Sequence, residues 1–150
     1  MPTYTINKKA KFDYEILETF EAGLVLNGIE VKSIRGGGAS LKGAFVTFHG
    51  ENAFLTNMHV SKYKYAGNTP EYEPERSRRV LLKRREIRYL RGKSEERGLT
   101  IVPISLYTKG RRIKVEIAVC RGKKKYDKRA SIKKRELKRE LAQKIKGGVI

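Results

Sequence analysis

The residue types that most often carry chemistry are sparse in this chain. His49 and His59 stand ten positions apart, with no cysteine or carboxylate at metal-ligand spacing beside them. They read as ordinary strand-end histidines. The single cysteine, Cys120, closes an apolar run and reads as a small buried hydrophobe, not a nucleophile. Glu71, Glu73 and Glu75 alternate beside Arg76, Arg78 and Arg79, the pattern of a solvated, self-pairing charge run. Arg35-Gly36-Gly37-Gly38 has the composition of a phosphate-cradling turn, but it ends a predicted helix where such a turn opens one. No catalytic, metal or cofactor constellation is indicated, and the chain is not expected to be an enzyme.

What the chain has in quantity is positive charge. Its 35 Lys and Arg against 16 Asp and Glu leave a net +19. Self-repulsion on that scale implies an anionic partner, nucleic acid first and a membrane surface second. The basic residues cluster at Lys8-Lys9-Lys11, at Arg76 to Arg79 with Lys83-Arg84-Arg85, at Arg111-Arg112, and in the C-terminal segment. Arg121 to Lys146 alone carries 13 basic against 3 acidic residues, a net +10. Such residues hold backbone phosphate without reading sequence. Interleaved tyrosines 63, 65, 72 and 126 can stack on unpaired bases, a mode suited to structured RNA. The blander alternative is that the tyrosines cover a barrel and the cations merely solvate it.

These residues need elements to position them. Pro2 to Lys11 is polar and reads as an arm. "YEILETF" and "LVL" read as two short strands around a turn at Glu21-Ala22-Gly23. "NGIEVKSIRGGG" reads as a short helix stopped by glycine. "AFVTFHGENAFLTNMHV" is a hairpin turning at His49 to Asn52, followed by a long polar connection from Ser61 to Ser77. "VLLKRREIRYLRG" predicts a helix ending at Gly92, with one further turn capped by Ser94. "LTIVPISLY" and "RIKVEIAVC" form a second strand pair, with Pro103 marking an edge or bulge. Ile113, Val115, Ile117 and Val119 alternate with Lys114, Glu116 and Ala118, as in a half-buried strand. The pattern predicts a mainly β protein: a small antiparallel barrel of the oligonucleotide-binding type, about six strands with flanking short helices. No internal repeat is present. No apolar run approaches the ~20 residues of a spanning helix, and the N-terminus lacks a signal peptide's apolar stretch. With one cysteine, a reducing cytoplasm is expected. The basic tail is expected to be disordered when free. Ala130, Leu137, Leu141 and Ile145 fall within about 80° of one another at the helical period, too thin a stripe to hold a helix until phosphates neutralise its charge.

Several motifs together carry a resemblance. "NKKAKFDYEILETFEAGLVLNGIEVKSIRGG", "RSRRVLLKRREI", "GLTIVPISLY" and "RGKKKYDKR" resemble, in order and spacing from Asn7 to Arg139, the SsrA-binding protein (small protein B) family. The resemblance implies an RNA-binding adaptor of trans-translation. It would bind the tRNA-like domain of transfer-messenger RNA near its elbow, replace the missing anticodon half, and deliver the RNA to stalled ribosomes. Its tail would enter the small-subunit decoding centre and the empty mRNA channel as a helix. It further implies division into a barrel domain, 1–125, and a tail, 126–150. Alanyl-tRNA synthetase and elongation factor Tu are implied as partners reached through the RNA, and a monomer without cofactors or metal is expected. Carried over position by position, the RNA-binding set is Asn7, Lys8, Glu21, Glu30, Lys32, Ser33, Arg35, Arg76, Arg78 and Leu81. The ribosome-facing set is Lys123, Lys124, Tyr126, Asp127, Lys128, Arg129, Leu137 and Leu141. Gly38 departs from the lysine usual after the glycine turn. A ribosomal protein with a basic extension and an RNA-processing enzyme stand as alternatives.

Overall fold

The computed structural model describes residues 3–67 and 71–122. The strands are β1 (Thr3–Ile6), β2 (Tyr14–Leu24), β3 (Ala39–Ser40), β4 (Phe45–His49), β5 (Asn52–Thr56), β6 (His59–Val60), β7 (Arg78–Leu81), β8 (Leu99–Lys109) and β9 (Arg112–Gly122). The helices are α1 (Lys8–Asp13), α2 (Gly28–Arg35) and α3 (Arg84–Glu95). Seven strands form one antiparallel sheet in the order β1-β8-β9-β2-β7-β5-β4, and β3 and β6 form a separate two-stranded ladder. The mainly β, antiparallel architecture agrees with the sequence reading. The sheet is not closed by a β1–β4 ladder, although β4 returns to lie close to β8.

Local chemistry accounts for most elements. The alternating apolar residues of β9, Ile113, Val115, Ile117 and Val119, all point into the main core. Its opposite face buries Ala118 and Cys120 under α1, together with Val102, Ile104 and Ala10. In β8 the inward parity changes from Ile101 to Leu106, an odd separation, so the strand must carry an extra residue. The register shifts between Pro103 and Ser105, where proline has no N–H to give to a ladder. The bulge reading holds; the edge reading does not, because β8 lies between β1 and β9. The β4–β5 hairpin turns at Gly50, whose φ of 62° suits glycine.

Four sequence expectations are corrected. The N-terminal arm is a strand and a helix: β1 pairs with β8, and Asn7 caps α1. The two short strands around Glu21 are one eleven-residue strand, because β9 pairs with it from Tyr14 to Gly23 and a register shift between Ile16 and Glu18 absorbs the mismatch. Val80 and Leu81 belong to β7, not to a helix; Val80 is drawn into the core opposite Ala53. Finally, α3 runs through Gly92 to Glu95. An interior glycine costs only about 1 kcal/mol relative to alanine, less than the packing of Leu90 against the core returns.

Cys120 is fully buried, and burial pushes its thiol up to about 11. A thiol reagent at pH 8 should therefore leave the native protein almost unlabelled and label it fully once it is denatured. Equal native and denatured labelling rates, read by mass spectrometry, would contradict that packing.

Candidate nucleic-acid interface

The site is built outward from one buried carboxylate. α2 begins at Asn27, whose side chain accepts from the Glu30 N–H at 2.9 Å while Glu30 Oε1 accepts from the Asn27 N–H at 3.0 Å, a capping box. The same carboxylate then accepts from Arg76 Nη2 and from Arg78 Nε, each at 2.5 Å. Arg78 also donates from Nη1 to the Met58 carbonyl at 2.6 Å and from Nη2 to the Pro74 carbonyl at 2.9 Å. Glu30 and Arg78 are both fully buried, and Arg76 is part-exposed. Burial works to raise the Glu30 pKa, but the bonds from the Asn27 backbone, Arg76 and Arg78 outweigh it, so the carboxyl sits below its ordinary 4.5. The expected self-pairing of the 71–79 charge run gives way here: Arg76 and Arg78 leave their own segment for α2, while Glu75 faces His59 at 3.5 Å.

At its other end α2 stops as the glycines require. The Gly37 N–H bonds to the Ile34 carbonyl, the Gly38 N–H bonds to the Ser33 carbonyl, and Gly37 has a φ of 86°. A Cβ at position 38 would lie 2.3 Å from Ser33 Oγ, which gives Gly38 its place beside the buried Ser33.

With α2 fixed, its exposed side lines a recess. Val31 and Arg35, one turn apart, face Gly23, Leu24, Leu81, Ile113, Lys114, Arg111 and Arg112 around a cavity of about 460 Å³. Arg35 Nη2 donates to the Arg111 carbonyl at 3.2 Å. Leu81 is 48% exposed at the rim, an apolar side chain ringed by four cations. Two residues before Gly23 on the same strand face, Glu21 accepts from the Tyr107 hydroxyl at 2.5 Å and from Lys109 Nζ at 3.1 Å. Those two bonds hold the Glu21 carboxyl below its ordinary range, while burial and the Glu21 bond push the Tyr107 phenol up. Glu21 is therefore an ionised acceptor set in a basic field.

The structure thus brings together Arg35 and Leu81 from the sequence-derived set, with Glu21 on the neighbouring stretch of β2 beside Tyr107 and Lys109. Lys32 is exposed further along α2, and Lys8 is exposed at the start of α1. Asn7, Glu30, Ser33 and Arg78 are buried and offer a partner no surface. Asn7 is saturated: it accepts from the Ala10 N–H and donates to the Leu41 and Pro103 carbonyls. Lys109, Lys114 and Tyr107 were missed by sequence reasoning. The alternation of β9 marks Lys114 as outward, but nothing local places it beside Leu81. Lys123, Lys124, Tyr126, Asp127, Lys128, Arg129, Leu137 and Leu141 lie outside the described residues.

A basic antiparallel β scaffold presenting cations and apolar tips around a recess has the chemistry of a surface for a polyanion, nucleic acid first. Its kind is settled by comparison. The chain belongs to the SmpB protein family, whose model matches residues 4–147. It is 51% identical to the SsrA-binding protein of Acaryochloris marina over 142 residues, covering 95% of this chain and 92% of that one. It is 48% identical to the SsrA-binding protein of Persephonella marina over 143 residues, covering 95% and 93%. Among solved structures, one described as "tmRNA-SmpB: a journey to the center of the bacterial ribosome" superposes with a TM-score of 0.70 at 40% identity, over 83% of this chain and 87% of that one.

Glu30→Gln should destabilise the protein by about 3–5 kcal/mol, because it leaves Arg78 a buried, unmatched cation. The sign with pH follows from the lowered pKa. The Glu30 contribution is complete above 4.5 and fades as the pH falls through the lower folded value. Urea titrations should accordingly show the gap between wild type and variant wide at pH 7 and narrowing in acid. A gap that is constant with pH would contradict this assignment.

Proposed function

We propose that this protein is an RNA-binding adaptor without catalysis. It binds the tRNA-like domain of transfer-messenger RNA and delivers that RNA to ribosomes stalled in trans-translation. The observation that carries the reading is family membership over nearly the whole chain, joined to a recess rimmed by Arg35, Arg111, Arg112 and Lys114. The RNA is contacted directly by Lys8, Glu21, Lys32, Arg35, Arg76 and Leu81. Asn7, Glu30, Ser33 and Arg78 act as supports that fix the contacting elements. Alanyl-tRNA synthetase and elongation factor Tu are reached through the RNA, and the protein works as a cytoplasmic monomer.

Residues 1–125 hold the RNA, and the tail, 126–150, acts on the ribosome. A net +10 across Arg121 to Lys146 orders only where phosphate is dense. The small-subunit mRNA channel, lined with ribosomal RNA, is such a place. A message already in the channel competes with the tail for space, so vacancy is sensed without reading sequence. Lys123 to Arg129 form the hinge, Tyr126 stacks in the decoding centre, and Leu137 and Leu141 lie on the apolar stripe of the induced helix.

Truncation after Arg129 should leave RNA binding intact, read by gel shift at fixed salt, yet abolish tagging of stalled chains. Leu141→Pro should cost the induced helix about 3 kcal/mol and impair rescue, and Leu141→Ala should do so less. A proline variant that tags at the wild-type rate would refute the role of the tail. On the neighbouring face of β2, Glu21→Ala should weaken specific RNA binding although losing the carboxylate raises the net charge by one. Unchanged or tighter binding would show that the face acts by charge alone.

A further inference from the structure

The connection from Ser61 to Ser77 carries three tyrosines in different settings. Tyr72 donates its hydroxyl to the Val60 carbonyl at 2.6 Å and anchors the segment against β6. Tyr63 and Tyr65 belong to a tight turn closed by the Ala66 N–H to the Tyr63 carbonyl at 3.0 Å. Their rings meet edge to face with centroids 5.5 Å apart. Tyr65 is 72% exposed, the most exposed of the large apolar side chains among the described residues. Lys32 Nζ lies 5.6 Å from the Tyr63 ring, and Lys64 Nζ lies 5.2 Å from the Tyr65 ring. Between this turn and the start of α2 is an open recess of about 540 Å³, lined by Asn27, Gly28, Ile29, Lys32, Tyr63 and Tyr65.

We propose that this recess binds one unpaired nucleobase of an RNA, stacked on the Tyr63–Tyr65 pair, with the flanking phosphates held by Lys32 and Lys64. The proposal rests on the reading of the chain as an RNA-binding adaptor and adds a second point of contact to it. Three features fix the ligand class. The exposed aromatic faces want a flat apolar partner, and every base has one. The two ammonium groups, already drawn to the rings by cation–π attraction, turn to phosphate at little cost. A ring held in a tight turn can reach only a base splayed out of its helix, so a loop or bulge fits and a duplex does not.

The site is separate from the recess that holds Leu81. α2 contributes to both, Val31 and Arg35 to the first and Gly28, Ile29 and Lys32, on the adjacent face, to the second. One rigid helix, pinned by Glu30, therefore sets the distance between the two contacts.

The test uses full-length protein and two RNAs: a transfer-messenger RNA transcript and a short oligoadenylate. Tyr65→Ala should lower affinity for both by about 5- to 150-fold, the range of one lost base stack, and by the same factor at every salt concentration. Tyr65→Phe should bind like wild type, since the ring and not the hydroxyl does the stacking. Lys32→Ala should reduce the slope of log affinity against log salt by about one. Because the Tyr65 ring is mostly exposed, its removal should leave the unfolding midpoint unchanged. Wild-type affinity of Tyr65→Ala for the oligoadenylate overturns the proposal. Preference of the wild type for transfer-messenger RNA over an unrelated folded RNA separately measures the adaptor reading, and its failure leaves the oligoadenylate comparison decisive for the stacking site.

Discussion

The structure depends on one carboxylate having two duties. Glu30 completes the cap of α2 and takes the guanidinium groups of Arg76 and Arg78. Through Arg78 the same knot reaches the carbonyls of Met58 and Pro74, so a helix, a sheet strand and a long connection share one centre. Removing two charges from water is expensive, and a buried pair of this kind adds little net stability over apolar residues of similar volume. What it supplies is position. The donors of Arg78 form a rigid fork, and each has an acceptor only when α2 and the connection stand in this arrangement.

That constraint explains why so polar a surface stays ordered. α2 has few apolar contacts of its own, with Ile34 its one fully buried hydrophobe, yet it lines both the Leu81 recess and the recess at the tyrosine turn. A helix of eight residues would not persist alone in water. Here the capping box satisfies its first donors, the glycines satisfy its last acceptors, and the Glu30 knot fixes its rotation. The residues that face solvent are then free to be cationic or aromatic, because none of them is needed to hold the helix.

Legibility in the sequence followed the range of the interaction. α2 was readable because its signals are local: Ile29 and Ser33, or Glu30 and Ile34, four apart, and three glycines after them. The β4–β5 hairpin and the alternation of β9 were readable for the same reason. The continuity of β2 was not, since Glu21-Ala22-Gly23 has turn composition and only pairing with β9 overrides it. Nor was the arm that proves to be β1, whose partner β8 lies at the far end of the chain. Val80 and Leu81 ran on into a helical pattern, and only the tertiary position of Val80 beside Ala53 divides them from it. At the site, Arg76 and Arg78 were visible as charge, but a run of alternating acids and bases cannot say which member will be buried. The resemblance named Glu30, and the structure supplies its work.

The sheet order also bears on how the protein is made. β9, the last of these strands to leave the ribosome, is inserted between β8 and β2, and residues paired across β2 and β9 are roughly 100 apart in sequence. Until β9 emerges, β2 waits with most of its length unpaired, held only at Gly23 and Leu24 by β7. Folding during synthesis therefore cannot proceed strand by strand; the sheet closes up late, in one cooperative step. A nascent chain cut short before Arg112 would display an eleven-residue open edge, a form suited to degradation and not to partial activity.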